Sequence, residues 1–345
     1  ILIQPVQPLG PYPERLTERL VYWAQKTPDV TLFAARDASG EWRHISYAQA
    51  LQYARSIGEA LLGRNLSAER PVMILSGNDL EHAMIGLACL HSGIAYAPIS
   101  PAYSLVSTDF GKLRHIFNLL TPGLVFASDG KAFGRAIDAV IPKDVELVVT
   151  RNAPSSRAAI TFDQLANTAP TERIDEAFRK VGPDTIAKFL FTSGSTGQPK
   201  GVINTQLMMC SNQVAMVSRL AVFQDEPPIT LDWAPWHHTA GGNHDVGLIL
   251  YNGGTFYIDE GKPLPGGNIV FHSAEGDKKF SSAINADGTY SLKDVPAGKY
   301  SLTVSAGKGG SLPAVYADPM TSALVFRVSP GMQVLDLVLM KRFGF

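Results

Sequence analysis

The sequence predicts a layered α/β N-terminal region with mainly parallel sheets, followed by a small all-β sandwich. Two observations support this fold class. Apolar strand-like runs alternate with helix-like stretches as far as about residue 262, and beyond it short strand patterns separated by turn residues replace the helical periodicity. A length of 345 residues suits two or three domains. We therefore predict one domain over residues 1–262 and a second over residues 263–345.

The N-terminal elements follow from the spacing of their apolar residues. Helical periodicity occurs at Leu16–Gln25, Tyr47–Leu62, Leu80–His91, Leu113–Leu120, Lys131–Val140 and Gln206–Leu220. Short apolar runs predict strands at Pro71–Leu75, Ala95–Ile99, Leu124–Ala127, Glu146–Thr150 and Ala187–Phe191. Continuous apolar strands between helices indicate a parallel sheet covered by helices on both faces.

The C-terminal elements are short strands joined by turns. They are predicted at Asn268–Ser273, Ser281–Asn285, Thr289–Val295, Lys299–Ser305, Leu324–Val328 and Val334–Met340. Turn residues lie between them at 285–288 and 296–298. Polar and apolar residues alternate within Tyr300–Val304 and Leu335–Leu339, which is typical of strands with one face in water. This is the pattern of a β-sandwich.

Composition and charge exclude several classes of function. A formal net charge of −1 gives no broad attraction to nucleic acid or to an anionic membrane. The most apolar stretch, Ala83–Ile99, contains polar, glycine and proline residues and predicts helix, turn and strand instead of a membrane span. Cys89 and Cys210 lie in apolar stretches and are expected to be buried, reduced thiols. Because no signal peptide is visible, we expect a cytoplasmic protein, although a chain that begins at Ile1 leaves an upstream segment open.

The most informative stretch is T-S-G-S-T-G-Q-P-K-G at residues 192–201. It follows a predicted strand and precedes the predicted helix that begins at Gln206. Glycines allow backbone N–H groups to turn toward an anion, and a lysine adds a full positive charge. These residue types predict a polyphosphate-binding loop formed by Thr192, Ser193, Gly194, Ser195, Thr196, Gly197 and Lys200.

Two other interpretations of this loop are weaker. A Walker P-loop has the spacing G-x-x-x-x-G-K-[ST], but Pro199 stands where its second glycine is needed. Gly201 stands where its magnesium-binding hydroxyl is needed. A flexible surface loop rich in serine and glycine is unusual between a buried strand and a helix.

The loop is similar to the phosphate-binding loop of the acyl-adenylate-forming enzymes, which include acyl-CoA synthetases, peptide-synthetase adenylation domains and luciferases. Three further segments resemble that family: W-A-Q-K-T-P-D at 23–29, I-S-Y-A-Q-A-L at 45–51 and G-V-I-N-T-Q at 201–206. L-D-W-A-P-W-H-H-T-A-G-G-N-H at 231–244 and N-G-G-T-F-Y-I-D-E-G-K-P at 252–263 resemble its feruloyl-CoA synthetase branch. The resemblance covers about residues 10–262.

This resemblance implies an ATP-dependent carboxylate–CoA ligase. A carboxylic acid, best exemplified by an aromatic acid of the feruloyl type, becomes an acyl-adenylate with loss of pyrophosphate, and coenzyme A then takes the acyl group. The implied cofactors are ATP, Mg²⁺ and coenzyme A. The loop would hold the β- and γ-phosphates, and His238 would act as the catalytic or gating residue of the acyl pocket. The implied substrate-binding residues are Trp236, His237, Gly241 and Gly242.

The histidine-rich segment also raises a metal hypothesis. His237, His238 and His244 with Asp245 offer zinc ligands, but neighbouring residues of an extended segment point to opposite faces, and the spacing is unlike a usual zinc site. We therefore predict no metal site. The remaining histidines are predicted to be surface or hydrogen-bonded core residues: His44, His82, His91, His115 and His272.

Several parts of the family's machinery have no counterpart in this sequence. The G-x-T-E segment that helps to hold magnesium, the T-G-D segment that binds the ribose and the small domain with a catalytic lysine are not found. The pair Gly298-Lys299 imitates part of that domain, but its surroundings predict a solvated turn lysine. Single transition-state contacts are typically worth about a hundredfold or more. The sequence therefore predicts a truncated ligase with weak or no activity alone.

Residues 263–342 resemble carboxypeptidase-regulatory-like, or transthyretin-like, domains through the core A-D-G-T-Y…V-P-A-G-K-Y. Such domains are usually adhesive or structural modules, so the resemblance implies a protein partner for the second domain. Two interpretations stay open. The chain is a truncated ligase fused to a β-sandwich, or it is a non-catalytic binding or structural protein that retains a degenerate ligase scaffold.

Overall fold

The computed structural model describes residues 8–37, 39–192, 198–220, 222–259, 266–285, 289–307, 312, 314–322 and 324–328. These residues form two compact units, one within residues 1–260 and the other within residues 261–345.

Strands and helices alternate through the first unit. Its strands are β1 (Thr31–Arg36), β2 (Trp42–Ser46), β3 (Val72–Leu75), β4 (Tyr96–Pro98), β5 (Leu124–Asp129), β6 (Glu146–Arg151), β7 (Ile160–Thr161), β8 (Ile186–Thr192), β9 (Lys200–Thr205), β10 (Ile229–Asp232) and β11 (Thr255–Ile258). Its helices are α1 (Thr17–Lys26), α2 (Tyr47–Leu62), α3 (Leu80–Ser92), α4 (Ala102–Leu105), α5 (Gly111–Leu120), α6 (Gly134–Val140), α7 (Phe162–Ala166), α8 (Glu172–Lys180), α9 (Gln206–Val217), α10 (Val222–Asp225) and α11 (Val246–Asn252). A π-helical turn over Ala240–Asp245 leads directly into α11.

The described strands of the first unit form two mixed sheets. The larger runs in the order β7-β6-β5-β3-β4-β8-β9, and all its neighbouring strands are parallel except β8 and β9. The smaller runs in the order β10-β11-β1-β2, with β1 and β2 antiparallel. The predicted α/β fold is confirmed, and the antiparallel edge strands make both sheets mixed.

The larger sheet is covered on both faces. Ile74 of β3 belongs to one cluster of buried side chains, whereas its neighbours Met73 and Leu75 belong to another. Successive side chains of a strand point to opposite faces, so the two clusters lie on opposite sides of the sheet. This explains the continuous apolar runs of the central strands.

Helix ends are set by local side-chain bonds. The Ser46 hydroxyl accepts a hydrogen bond from the Gln49 backbone N–H, and the Gln49 side chain accepts one from the Ser46 N–H, which forms a capping box at the start of α2. Asp79 caps α3 through the His82 N–H, and Gly93 ends that helix with a φ of 74°. Helix α2 has the predicted bounds, and the other predicted elements up to β6 agree with the structure to within a few residues.

The second unit contains β12 (Gly267–Ser273), β13 (Lys279–Ala283), β14 (Gly298–Ala306) and β15 (Val325–Val328), with a 3₁₀ turn at Ala314–Ala317. Among the described residues these strands form one antiparallel sheet in the order β13-β12-β14-β15. Its buried side chains are Ile269, Phe271, Ile284, Tyr300, Leu302 and Val304. A small all-β sheet is thus confirmed, and its closure into a sandwich stays a prediction.

Two strand predictions in this unit have different outcomes. Thr289–Val295 is not a strand, because Leu292 and Val295 pack against the core from irregular backbone without a ladder partner in the described ranges. The predicted strand Val334–Met340 lies outside the described residues. Lys299, predicted to be a turn lysine, is an exposed residue near the start of β14.

Two further sequence predictions concern cysteines and membranes. Cys89 and Cys210 are both free and buried, as predicted. In the part of the chain that the structure describes, no helix has the combined length and apolar character that a membrane span requires.

Candidate functional site

The predicted phosphate loop joins the ends of two antiparallel strands. Thr192, the last residue of β8, is the register partner of Lys200, the first residue of β9. Both are exposed. The other five predicted loop residues, Ser193, Gly194, Ser195, Thr196 and Gly197, lie outside the described residues. The structure thus places the two ends of the loop beside each other at the carboxyl end of β8.

This arrangement corrects the expected route of the chain. The sequence predicted that the loop continues to the helix at Gln206, but strand β9 intervenes. The β-branched pair Val202 and Ile203 was the available signal for that strand. Helix α9 begins only after Thr205, whose hydroxyl accepts a hydrogen bond from the Met208 N–H. A Walker P-loop leads directly into a helix, so this connection also argues against that alternative.

The base of the loop is held by a side chain that sequence reasoning did not assign to the site. His115 of α5 lies with its Nε2 atom 3.1 Å from the Pro199 carbonyl oxygen. A carbonyl oxygen only accepts hydrogen bonds, so the imidazole donates through Nε2. Pro199 is buried, and the Phe191 ring lies beside Gly201 across the strand pair. The backbone that leads to Lys200 is therefore fixed from two sides.

The segment that precedes the predicted acyl-pocket histidine is anchored on Asn78. The Asn78 side-chain amide donates to the Ala234 carbonyl at 2.8 Å, and its oxygen accepts from the Trp236 N–H at 3.0 Å. Trp236 is 4% exposed, and its ring makes edge contacts with His82 and Phe256. Trp236 therefore belongs to the hydrophobic core that supports the segment.

His237 and His238 lie in a turn, and the expectation of an extended segment with opposed rings was wrong. Their ring centroids are 5.5 Å apart. His238 is exposed, whereas burial lowers the pKa of His237 to about 4, with a smaller contribution from His238. The His237 imidazole is consequently neutral at pH 7.

Two acidic side chains lie near the turn, and one of them, Asp245, contacts His244. The Nδ1 atom of His244 lies 2.6 Å from Asp245 Oδ1. Burial raises the pKa of Asp232, and the neighbouring Asp245 carboxyl raises it further. In the described ranges, no group of three or more His, Cys, Asp and Glu side chains could hold a metal ion.

Gly241 and Gly242 are buried where the backbone passes close to itself. A Cβ atom on Gly241 would lie 2.3 Å from the Ala234 carbonyl oxygen, and one on Gly242 would lie 2.1 Å from the Trp236 carbonyl oxygen. These distances exclude any side chain without a backbone shift. The two glycines therefore allow the π-helical turn to fold back onto the segment before it.

An open cavity of about 580 Å³ lies against the π-helical turn. Its lining is Asn204, Met208, Met209, Asn212, Thr239, Ala240, Asn243, His244 and Asp245. Trp236 and Gly242 instead line an internal cavity of about 30 Å³, and His237, His238 and Gly241 line neither of the two. The predicted substrate residues thus form and support the turn, and the residues that follow them line the open cavity.

The turn and the strand that begins at Lys200 are directly connected. The Asn243 side-chain amide donates to Asn204 Oδ1 at 2.8 Å, and the Gln213 amide donates to the Asn243 carbonyl at 3.2 Å. Asn204 lies on β9, four residues after Lys200. The fold therefore joins the base of the predicted phosphate loop to the wall of the open cavity.

The mixed α/β fold, with the predicted phosphate loop between β8 and β9 and a histidine turn connected to β9, agrees with an adenylate-forming class of ligase. The family model for AMP-binding enzymes matches residues 20–272, and the chain belongs to this family. The match extends past the expected limit of residue 262 into β12.

Known relatives and solved structures agree with this assignment. The chain is 28% identical over 62% of its length to the probable non-canonical nonribosomal peptide synthetase CymA of Salinispora arenicola, covering 3% of that protein. It is 26% identical over 64% of its length to the D-alanine–D-alanyl carrier protein ligase of Streptococcus equi, covering 40% of it. The chain thus spans less than half of these relatives.

Among solved structures, the fold is similar to the adenylation domain of a keto acid-selecting peptide synthetase module bound to a keto acyl adenylate. The TM-score is 0.56 at 20% identity, over 71% of this chain and 42% of that one. A fatty acyl-adenylate ligase from L. pneumophila in complex with acyl adenylate and pyrophosphate gives a TM-score of 0.53 at 20% identity, over 72% and 40% of the two chains.

Proposed function

We propose that the first unit binds ATP through the Thr192–Lys200 loop and activates a carboxylic acid as its acyl-adenylate. The observation that carries this proposal is the Asn204–Asn243 hydrogen bond, because it joins the strand that begins at Lys200 to the turn beside the open cavity. A nucleotide on the loop and an acid in the cavity would then be held on one connected framework.

In the proposed reaction, a carboxylate oxygen attacks the α-phosphorus of ATP. The bond from that phosphorus to the bridging oxygen breaks, and pyrophosphate leaves. Lys200 and the hydroxyls and backbone N–H groups of the loop stabilise the negative charge of the leaving pyrophosphate. The loop residues proposed for this role are Thr192, Ser193, Gly194, Ser195, Thr196, Gly197 and Lys200. His238, exposed next to the turn, orients the acid or controls its entry.

Magnesium normally accompanies ATP in phosphoryl chemistry. Mg²⁺ is often held by one or two carboxylates together with substrate phosphates, and the described residues offer no metal-binding group of three. We therefore derive no step through a protein-bound magnesium ion.

The acid is proposed to be aromatic and of the feruloyl type, on the basis of the segments 231–244 and 252–263. The acceptor of the acyl group is proposed to be coenzyme A. Relatives that are named as carrier protein ligase and peptide synthetase favour a second candidate, the thiol of a carrier protein. The two acceptors differ only after the adenylate has formed.

The second unit is proposed to be a transthyretin-like module that contacts a protein partner. We also expect the chain alone to turn over slowly, because the magnesium, ribose and catalytic-lysine motifs of the family have no match in its sequence. The opposing hypothesis is a non-catalytic binding or structural protein built on the same scaffold. Adenylation activity that depends on Lys200 would support the ligase proposal over the non-catalytic hypothesis.

The proposed function is tested by acid-dependent exchange of labelled pyrophosphate into ATP, with ferulate and a panel of aliphatic and amino acids. Thioester formation is then measured with coenzyme A and with a carrier protein. Lys200→Ala should lower the exchange by about a hundredfold, because one transition-state contact of this kind is typically worth that much.

Lys143→Ala is the matched control. Lys143 is also exposed, but it precedes β6, so it lies at the amino ends of the parallel strands whose carboxyl ends carry the loop. Exchange that is the same in Lys200→Ala and wild type contradicts the loop assignment. No exchange with any acid supports the non-catalytic hypothesis.

A further inference from the structure

Lys188 is a buried lysine that no part of the proposed reaction uses. It lies in the middle of β8, four residues before Thr192, and is 2% exposed. Its Nζ atom donates to the Gly242 carbonyl oxygen at 2.7 Å and lies 5.3 Å from the centre of the Tyr96 ring. In the described part of the chain it forms no ion pair with a carboxylate.

A charged lysine in this position destabilises the folded state. Moving an ammonium group out of water without a counter-charge disfavours its charged form, and burial lowers the pKa of Lys188 to about 7. A well-packed apolar side chain at a buried charged position is often neutral or stabilising. The bond to Gly242 is therefore better explained by what it does to the turn than by a gain in stability.

Gly242 lies where the π-helical turn forms part of the walls of two cavities. Gly242, Trp236 and Lys188 line the internal cavity of about 30 Å³, whereas Ala240 and Asn243 line the open cavity of about 580 Å³. Lys188 thus contacts the turn at the smaller cavity and does not line the open one. Asn204 and Gln213 bind the next residue, Asn243, from β9 and α9.

Gly242 is also hydrogen-bonded to His238, the predicted catalytic histidine. The Gly242 N–H donates to the His238 carbonyl oxygen at 2.8 Å. A chain of two hydrogen bonds therefore runs from β8, which ends at the phosphate loop, through Gly242 to His238. A shift of Gly242 would move both His238 and the wall of the open cavity.

We propose that Lys188 is a positioning residue for acid activation, which holds the π-helical turn and His238 at a fixed distance from the strand that carries the phosphate loop. This inference rests on the proposed function. Lys188 acts through Gly242 and touches no reacting atom. Its removal should impair use of the acid more than binding of ATP, because the loop end of β8 keeps its pairing with β9.

The test compares Lys188→Met, which keeps an unbranched side chain one atom shorter and removes the donor, with Lys188→Arg, which keeps a donor. The adjoining cavity of about 30 Å³ gives the guanidinium some room. Thr255→Val is the matched control, because the Thr255 hydroxyl donates to the Thr31 carbonyl at the same 2.7 Å in the smaller sheet. Pyrophosphate exchange and hydrogen–deuterium exchange are measured on all four proteins, including the wild type.

For Lys188→Met we expect the KM of the acid to rise by about tenfold or more, with a change in the KM of ATP of less than about threefold, since small displacements of a bound substrate are costly. Amide exchange should become faster in peptides covering 236–250 and stay unchanged in peptides covering β3 and β5. Lys188→Arg should partly restore the KM of the acid and the slow amide exchange at 236–250. Thr255→Val should leave both quantities at their wild-type values. The urea midpoint of Lys188→Met should equal or exceed that of wild type.

Unchanged amide exchange at 236–250 in Lys188→Met overturns the proposal, whether or not the wild type is active. An equal increase in the turn and in the sheet also overturns it, because it shows general destabilisation. If the wild type has no exchange activity with any acid, the proposed function fails, and the amide-exchange comparison still decides the role of Lys188.

Discussion

His115 shows how one side chain outside the motif can control the loop. Its Nε2 atom donates to Pro199, whose neighbour Lys200 supplies the positive charge proposed to bind phosphate. No spacing in the sequence connects His115 of α5 with Pro199, which lies 84 residues later, so only the fold reveals the contact. The loop was predicted from its residue types alone, and its phosphate-binding role stays a prediction.

His115→Ala is expected to weaken ATP binding by roughly threefold to tenfold, the usual value of one neutral hydrogen bond. His115→Gln, whose side-chain amide can also donate to Pro199, should restore most of that affinity. Isothermal titration of ATP into wild type, His115→Ala and His115→Gln measures the effect. Equal affinities in all three would show that the contact does not position the loop.

His91 provides a prediction about stability and pH. It is 2% exposed and stacks on Phe178 at 4.4 Å, and burial lowers its pKa to about 4. The unfolded chain binds a proton at this residue near the ordinary pKa of 6.5, so between pH 6.5 and pH 4 the unfolded state holds more protons than the folded state. The free energy of unfolding therefore falls as pH decreases through this range.

His91→Phe keeps a ring on Phe178 and removes the titrating group. Between pH 7 and pH 5, it should lose less unfolding free energy than the wild type, by on the order of 1–2 kcal/mol. Urea unfolding at the two pH values measures the difference. Phe178→Leu, which alters the packing and keeps the histidine, should follow the pH dependence of the wild type. Identical pH dependence in wild type and His91→Phe would contradict the assignment.

At the scale of elements, the π-helical turn is fixed by the two glycines and by three side-chain bonds from other elements. Gly242→Ala places a methyl group where the Trp236 carbonyl oxygen lies at 2.1 Å, so the backbone must move. We expect a loss of about 1–3 kcal/mol in unfolding free energy, as for other overpacked sites. Urea unfolding checks this value.

Gly134→Ala is the control for this substitution. Gly134 begins α6, and a Cβ atom there meets nothing within 4 Å. Alanine is the better helix former, so the variant should be as stable as the wild type or slightly more stable. If Gly242→Ala were equally well tolerated, the close approach would not determine the shape of the turn.

The limits of prediction from sequence are also visible in the elements. Strands β3 and β5 were predictable because buried parallel strands are apolar without interruption. Strand β9 was missed because its exposed edge position leaves no burial pattern, and Thr289–Val295 was wrongly predicted because its apolar residues reach the core without strand pairing. Lys188 was missed because a lysine within a strand is indistinguishable in sequence from a surface residue.

For the whole molecule, family membership came from a few motifs, whereas the links between them came from the fold. The sequence placed the phosphate loop and the histidine segment about forty residues apart, and nothing in it indicated that Asn204 and Asn243 bring them together. The two units have separate buried clusters. The role of the second unit remains a prediction from its sequence.

The Thr192–Lys200 connection is proposed to bind the terminal phosphates of a nucleotide. The most direct measurement is calorimetric titration of pyrophosphate, and of ATP in competition with it, into wild type, Lys200→Ala and Lys143→Ala. We predict one site per chain that both ligands share, with affinity at least about tenfold lower in Lys200→Ala and unchanged in Lys143→Ala, because a full charge is lost at the loop in the first case only. Equal pyrophosphate affinity in Lys200→Ala and wild type would contradict the account.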